Sequence, residues 1–96
     1  MQAKDASALG LLLQKCRQKA GLTQDQLAMK LNRTQSCISK FEKGNKLPDI
    51  FTIMDWARIT STQEAIAMFV MGTDVTTIIQ TVLQMTGAAV VFPLAA

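Results

Sequence analysis

The chain has 96 residues, 49% of them apolar and 18% charged, with a net charge of +3. That is enough for one folded domain and too little for two independent cores. With no histidine and only two cysteines, a structural zinc site lacks ligands and a catalytic triad lacks its usual base; counting leaves a Ser-Lys or carboxylate enzyme open, but a chain this short has little room for a deep pocket, and no enzyme, metal or cofactor is expected.

Leu9, Leu12, Leu13 and Cys16 recur at i, i+3, i+4 and i+7, which predicts a first helix. Ser7 is placed to cap it and Gly21 to end it after Ala20. Thr23 caps a short second helix with Leu27, Ala28 and Leu31 on one face. Asn32-Arg33 reads as a turn, and Thr34 caps a third helix that turns Ile38 and Phe41 inward. Gly44 suits the left-handed end of that helix. Pro48 suits the first turn of a fourth, whose predicted buried stripe is Ile50, Ile53, Trp56 and Ala57. Ser61 or Thr62 caps a fifth helix with Ile66, Phe69 and Val70 inward, and Gly72 stops it. Met68 and Met71 read as core filler. Thr73 or Asp74 caps a sixth, striped by Val75, Ile78, Ile79, Val82 and Leu83, and Gly87 ends it. Ala88 to Phe92 is small and β-branched and reads as a short edge strand or ordered tail closed by Pro93.

The N-terminus does not read as a signal peptide, because Lys4 and Asp5 precede an apolar run that stops at Gln14-Lys15. Gln80, Gln84, four threonines and Pro93 interrupt the uncharged segment from Val75 to Leu94, so no membrane span is expected. Cys16 and Cys37 are too few for a disulfide framework and read as reduced thiols of a cytoplasmic protein.

Charge is unevenly placed. Residues 1–58 hold all ten basic side chains and five acids, a net +5. Residues 59–96 hold Glu64 and Asp74 and no base, a net −2. Two roles within one small fold follow, divided between residues 1–60 and 61–96. On the third helix the face opposite Ile38 and Phe41 offers Gln35, Ser36, Ser39, Lys40 and Lys43. Glutamine can bond adenine bidentately, lysine can reach guanine or a phosphate, and serine serves either. Gln24 and Gln35 stand at two helix N-termini, whose amides face phosphate well. Alone, such a face would be merely solvated; the charge and the paired short helices turn it toward DNA.

The stretch KCRQKAGLTQDQLAMKLNRTQSCISKFEKGNKLP resembles the lambda-repressor/Cro-like, or XRE-type, helix-turn-helix family. The matching features are Arg17, then Gly21-Leu22-Thr23-Gln24, Leu27-Ala28, Ser36, Ile38-Ser39, and Phe41-Glu42-Lys43-Gly44 before Pro48, over residues 8–60. The resemblance implies an all-α bundle of five to six helices, with a short C-terminal β-strand at a dimer interface as a further option. It implies that the second and third helices form the motif and the third reads DNA. Gln24 would touch a phosphate; Gln35, Ser36, Ser39 and Lys40 would face bases; Lys43, Asn45 and Lys46 would hold the backbone beyond. Arg17 would pair with Glu42 as a structural brace. The chain departs from the common pattern at Asn32-Arg33, where a glycine-containing turn is frequent. Asparagine tolerates the left-handed conformation, Arg33 adds a cation beside the groove, and the capping Thr34 joins it among the expected DNA-binding residues.

Specific binding by this motif usually takes a two-fold dimer. The stripe Val75/Ile78/Ile79/Val82/Leu83, backed by neutral Thr76, Thr77, Gln80, Thr81 and Gln84, carries less charge than a water-facing surface normally would. The expected dimer is made by this helix 74–86, by antiparallel pairing of strand 88–92 with Val90, Val91 and Phe92 across the two-fold, or by both; the competing arrangement folds the sixth helix back onto the chain's own core. The expected function is a sequence-specific transcriptional regulator of bacterial or phage type, a repressor that binds an inverted repeat of double-stranded DNA as a homodimer. The alternative is an antitoxin-type module whose uncharged tail covers a toxin and whose DNA binding is secondary autoregulation.

Overall fold

A computed structural model describes residues 3–84. Helix α1 (Ala3–Lys19) begins four residues earlier than Ser7, which lies exposed within it rather than capping it. Nothing in Lys4-Asp5-Ala6 breaks a helix, so the run extends to the left of the apolar stripe. Leu9, Leu12, Leu13 and Cys16 are its buried face.

Helix α2 (Gln24–Leu31) opens on a capping box: the Thr23 hydroxyl accepts from the Gln26 amide, and the Gln26 side chain accepts from the Thr23 amide at 2.9 Å. It ends on Asn32 in the left-handed conformation, φ 57°. Helix α3 (Gln35–Lys43) opens on Thr34, whose hydroxyl accepts from the Cys37 amide at 3.1 Å, and ends on Gly44 at φ 79°. The turn between α2 and α3 is therefore fixed at both sides by local hydrogen bonds.

Helix α4 (Ile50–Thr60) starts two residues after Pro48, with Asp49 at the capping position. Pro48 is thus a buried residue ahead of the helix and not part of its first turn. The inward face is Thr52, Trp56, Ala57 and Thr60, with Ile53 half-buried. Ile50 is 55% exposed, against the expected stripe. α4 has apolar residues on two faces, and periodicity cannot tell which one meets the core.

Ser61 ends α4 in the left-handed conformation, φ 57°. Thr62 does not cap helix α5 (Gln63–Val70) through its side chain; its buried hydroxyl instead pairs with that of Thr60 at 2.7 Å. Ala65 and Ile66 face inward, but Val70 is 71% exposed and Met71 85% exposed, so neither serves the core as expected. Asp74 accepts from the Thr76 amide at 3.1 Å and opens helix α6 over residues 75–84. Ile78 and Val82 are fully buried, Val75 and Ile79 half-buried and Leu83 exposed.

The core is one cluster that runs from Leu9 to Val82 and crosses the expected 60/61 division. Trp56 sits at its centre, donating its indole N–H to the Leu13 carbonyl at 3.0 Å and meeting Phe41 edge-on at 6.4 Å. Helices α1 and α3 touch backbone to backbone beside it. A Cβ on Gly10 would lie 2.5 Å from the carbonyl oxygens of Phe41 and Glu42. Burial pushes the Cys16 thiol up from its ordinary value. Among the described residues there is no strand, and no helix is long and apolar enough to cross a membrane. The strand expected at Ala88–Phe92 lies outside the described residues.

Candidate nucleic-acid interface

The motif is braced from beneath by an ion pair. Arg17 donates its Nε–H to Glu42 Oε2 at 2.6 Å and one terminal N–H to Oε1 at 3.1 Å. Both residues are buried. A further N–H of Arg17 reaches the Leu22 carbonyl at 2.8 Å, which ties the α1–α2 turn to the same point. The fork geometry of the guanidinium makes this two-point contact with a carboxylate, which a lysine could not reproduce.

The pair does not stop there. Gln24 donates to Glu42 Oε1 at 2.9 Å, and Gln35 donates to the Gln24 carbonyl oxygen at 2.5 Å. A hydrogen-bonded line therefore runs from Arg17 through Glu42 and Gln24 to Gln35, the first residue of α3. Its two ends differ in wetness: Glu42 is buried, Gln24 half-buried and Gln35 exposed. Sequence reasoning assigned Gln24 and Gln35 to separate contacts and missed this linkage, because the two residues are eleven apart and meet only through the turn.

The outer side of α3 carries Gln35, Ser36, Lys40 and Lys43 exposed and Ser39 half-buried, while Ile38 and Phe41 are locked in the core. Asn45 and Lys46 continue that surface past Gly44. The Lys46 ammonium sits 5.7 Å from the centre of the Phe41 ring, close enough for a cation–π contact.

Arg33 is placed differently from its expected role. Its guanidinium turns to α4, bonding Asp49 at 3.2 Å and the Thr52 hydroxyl at 2.7 Å, and lies 5.7 Å from the Phe41 ring centre. Asp49 claims it because the carboxylate stands at the start of α4, directly across from the α2–α3 turn. Arg33 thus fastens the motif to α4 with its charge largely matched.

The Thr52 hydroxyl donates to Asp49 and, with Arg33 facing the carboxylate, holds its pKa below the ordinary carboxylate range. A depressed carboxyl contributes stability above its unfolded pKa and loses it as pH falls through the folded one. A carboxyl-carbon NMR titration should place the Asp49 midpoint below the ordinary ~3.9, and Thr52→Val should raise it. An Asp49 midpoint at the ordinary value would show the contact absent in solution.

Neither the buried pair nor the thiols offer a nucleophile with a base at hand. Among the described residues no group of histidine, cysteine, aspartate and glutamate could hold a metal ion. What the arrangement can do is present short polar and cationic side chains on one side of a rigidly held helix. A protein-family model described as a helix-turn-helix domain matches residues 8–65, more than half of the chain. No curated protein and no solved structure matches it.

Proposed function

The chain belongs to the helix-turn-helix domain family, of the XRE/Cro-like type, and from that premise we propose that it is a sequence-specific DNA-binding repressor acting as a homodimer on an inverted repeat. The observation that carries this is the division of α3. One side is core, and the other is Gln35, Ser36, Ser39 and Lys40, short enough to reach base edges from a helix in the major groove. Lys43, Asn45 and Lys46 then hold phosphates beyond the helix, and Gln24 does so at the start of α2. Arg33, paired with Asp49, serves to hold the motif against α4 rather than to contact DNA. The net +5 of residues 1–58 supports the same partner through long-range attraction.

A single motif reads one half-site, so two copies must stand about 34 Å apart. Val75, Ile79 and Leu83 on α6, together with Val90, Val91 and Phe92, are the proposed meeting surface, while Ile78 and Val82 support it from inside. Steric overlap with polymerase would make such a dimer a repressor in the cytoplasm.

Selection of bound sequences from random DNA should return two inverted half-sites. On the selected operator, Gln35→Ala and Lys40→Ala should each weaken binding by about 1–3 kcal/mol and relax preference at one base position. Lys43→Ala should weaken all sequences alike and flatten the salt dependence by about 0.9 in slope. If both Gln35→Ala and Lys40→Ala bound as tightly and selectively as wild type, the assignment of α3 as reader would fall.

A further inference from the structure

α4 and α5 leave a shallow apolar groove of about 380 Å³ between them. Ile50, Ile53, Met54, Ile66, Ala67 and Val70 line it. Ile50 and Met54 are more than half exposed and Val70 is 71% exposed. Phe51, one residue along α4, is 70% exposed. The cation at the rim, Arg58, is already paired with Asp55 at 2.7 Å. Apolar surface of this extent on a small domain marks a contact site.

We infer that the groove receives the C-terminal arm, residues 86–96, of a second copy of this chain. The inference deepens the homodimer reading above and rests on it. Three observations choose the occupant. The arm has no charged side chain, and Val90-Val91-Phe92-Pro93-Leu94 is its apolar stretch, matched to a groove without an unpaired charge. Pro93 bars a regular helix there, and an extended segment presents alternate side chains to a groove. The arm is long on the scale of the fold: from residue 85 to Phe92 an extended chain reaches about 25 Å, more than the shortest molecular dimension of 18 Å and less than the next, 29 Å.

What selects the partner's arm is the area a dimer would otherwise lack. Ile78 and Val82 are fully buried within one chain, so α6 offers only Leu83 and the half-covered Val75 and Ile79. Three part-exposed aliphatic side chains are little apolar surface beside the ~800 Å² per partner of a stable interface. Exchanging arms fills two grooves and covers two arms in one closed two-fold contact.

Sedimentation velocity on the full chain at micromolar concentration should give a dimer. Val70→Glu and Phe92→Asp should each weaken it at least tenfold, with the far-ultraviolet dichroism unchanged and the melting midpoint lowered only as far as loss of the dimer requires. In a Cys37→Ser background, Val70→Cys with Phe92→Cys should oxidise to a covalent dimer. A dimer indifferent to both charged variants would overturn the arm contact and leave the homodimer reading standing. Covalent closure within single chains would overturn it in favour of the chain's own arm. A wild-type chain that stays monomeric on its selected operator would instead remove the homodimer reading itself.

Discussion

Glu42→Ala should destabilise the fold by about 3–5 kcal/mol, because it leaves the Arg17 guanidinium buried without its counter-charge. In a chain of this size that corresponds to a fall in melting temperature of roughly 12–40 °C. Both partners are buried, so water cannot replace the lost carboxylate. The variant also removes the acceptor of Gln24, so the side chain of Gln35 loses the far end of its support. Glu42→Gln, which keeps the shape and one acceptor but not the charge, should lose less. Thermal melts followed by circular dichroism would check both. A Glu42→Ala protein that melted like wild type while its base preference changed would place Glu42 at the DNA and not in the framework.

Gly10→Ala should cost about 3 kcal/mol, at the top of the range for forcing atoms into a packed interface. Intrinsic propensity argues the other way, since alanine in a helix interior is favoured over glycine by about 1 kcal/mol. Geometry decides. The added carbon would stand 2.5 Å from two carbonyl oxygens of α3, and backbone carbonyls at a helix end cannot swing aside as a side-chain tip can. α1 would have to lift off α3, which also stretches the Arg17–Glu42 contact about two turns further on. Denaturant unfolding would measure the loss; a stabilised Gly10→Ala protein would mean that the two helices stand further apart than described here. Gly44 sits under the same constraint from the other side. It is left-handed at φ 79°, and a Cβ there would lie 2.8 Å from the Ser7 Cα.

The parts of this molecule written in local chemistry were readable from the chain. Thr23, Thr34, Asn32 and Gly44 act within a turn of their own positions, so spacing alone located both ends of α2 and α3. The family resemblance likewise lies in one ungapped stretch. Less was readable where two solutions share a pattern. α4 carries apolar residues around most of its circumference, with Ile50, Ile53, Met54 and Ala57 along one stripe and Trp56 beside it, and only packing chooses which of them are covered. The α6 stripe is divided between the core and the surface, which a uniform row of aliphatics does not announce. Three buried threonines, Thr52, Thr60 and Thr62, were invisible as core because their hydroxyls find partners only after folding. The same holds for the turn of Arg33 toward α4: from sequence it was one cation among ten.

The link between Gln24 and Gln35 has a thermodynamic consequence. A glutamine side chain that becomes ordered on binding gives up about 1.5–2 kcal/mol of rotamer freedom. Here that entropy is surrendered during folding, since each amide is already held by its neighbour. Association with DNA then starts from a pre-set surface and keeps more of its contact enthalpy. The same economy couples the two positions in evolution. If α3 reads bases as proposed, a new residue at 35 inherits a neighbour shaped for glutamine, and a change of operator calls for two substitutions, not one.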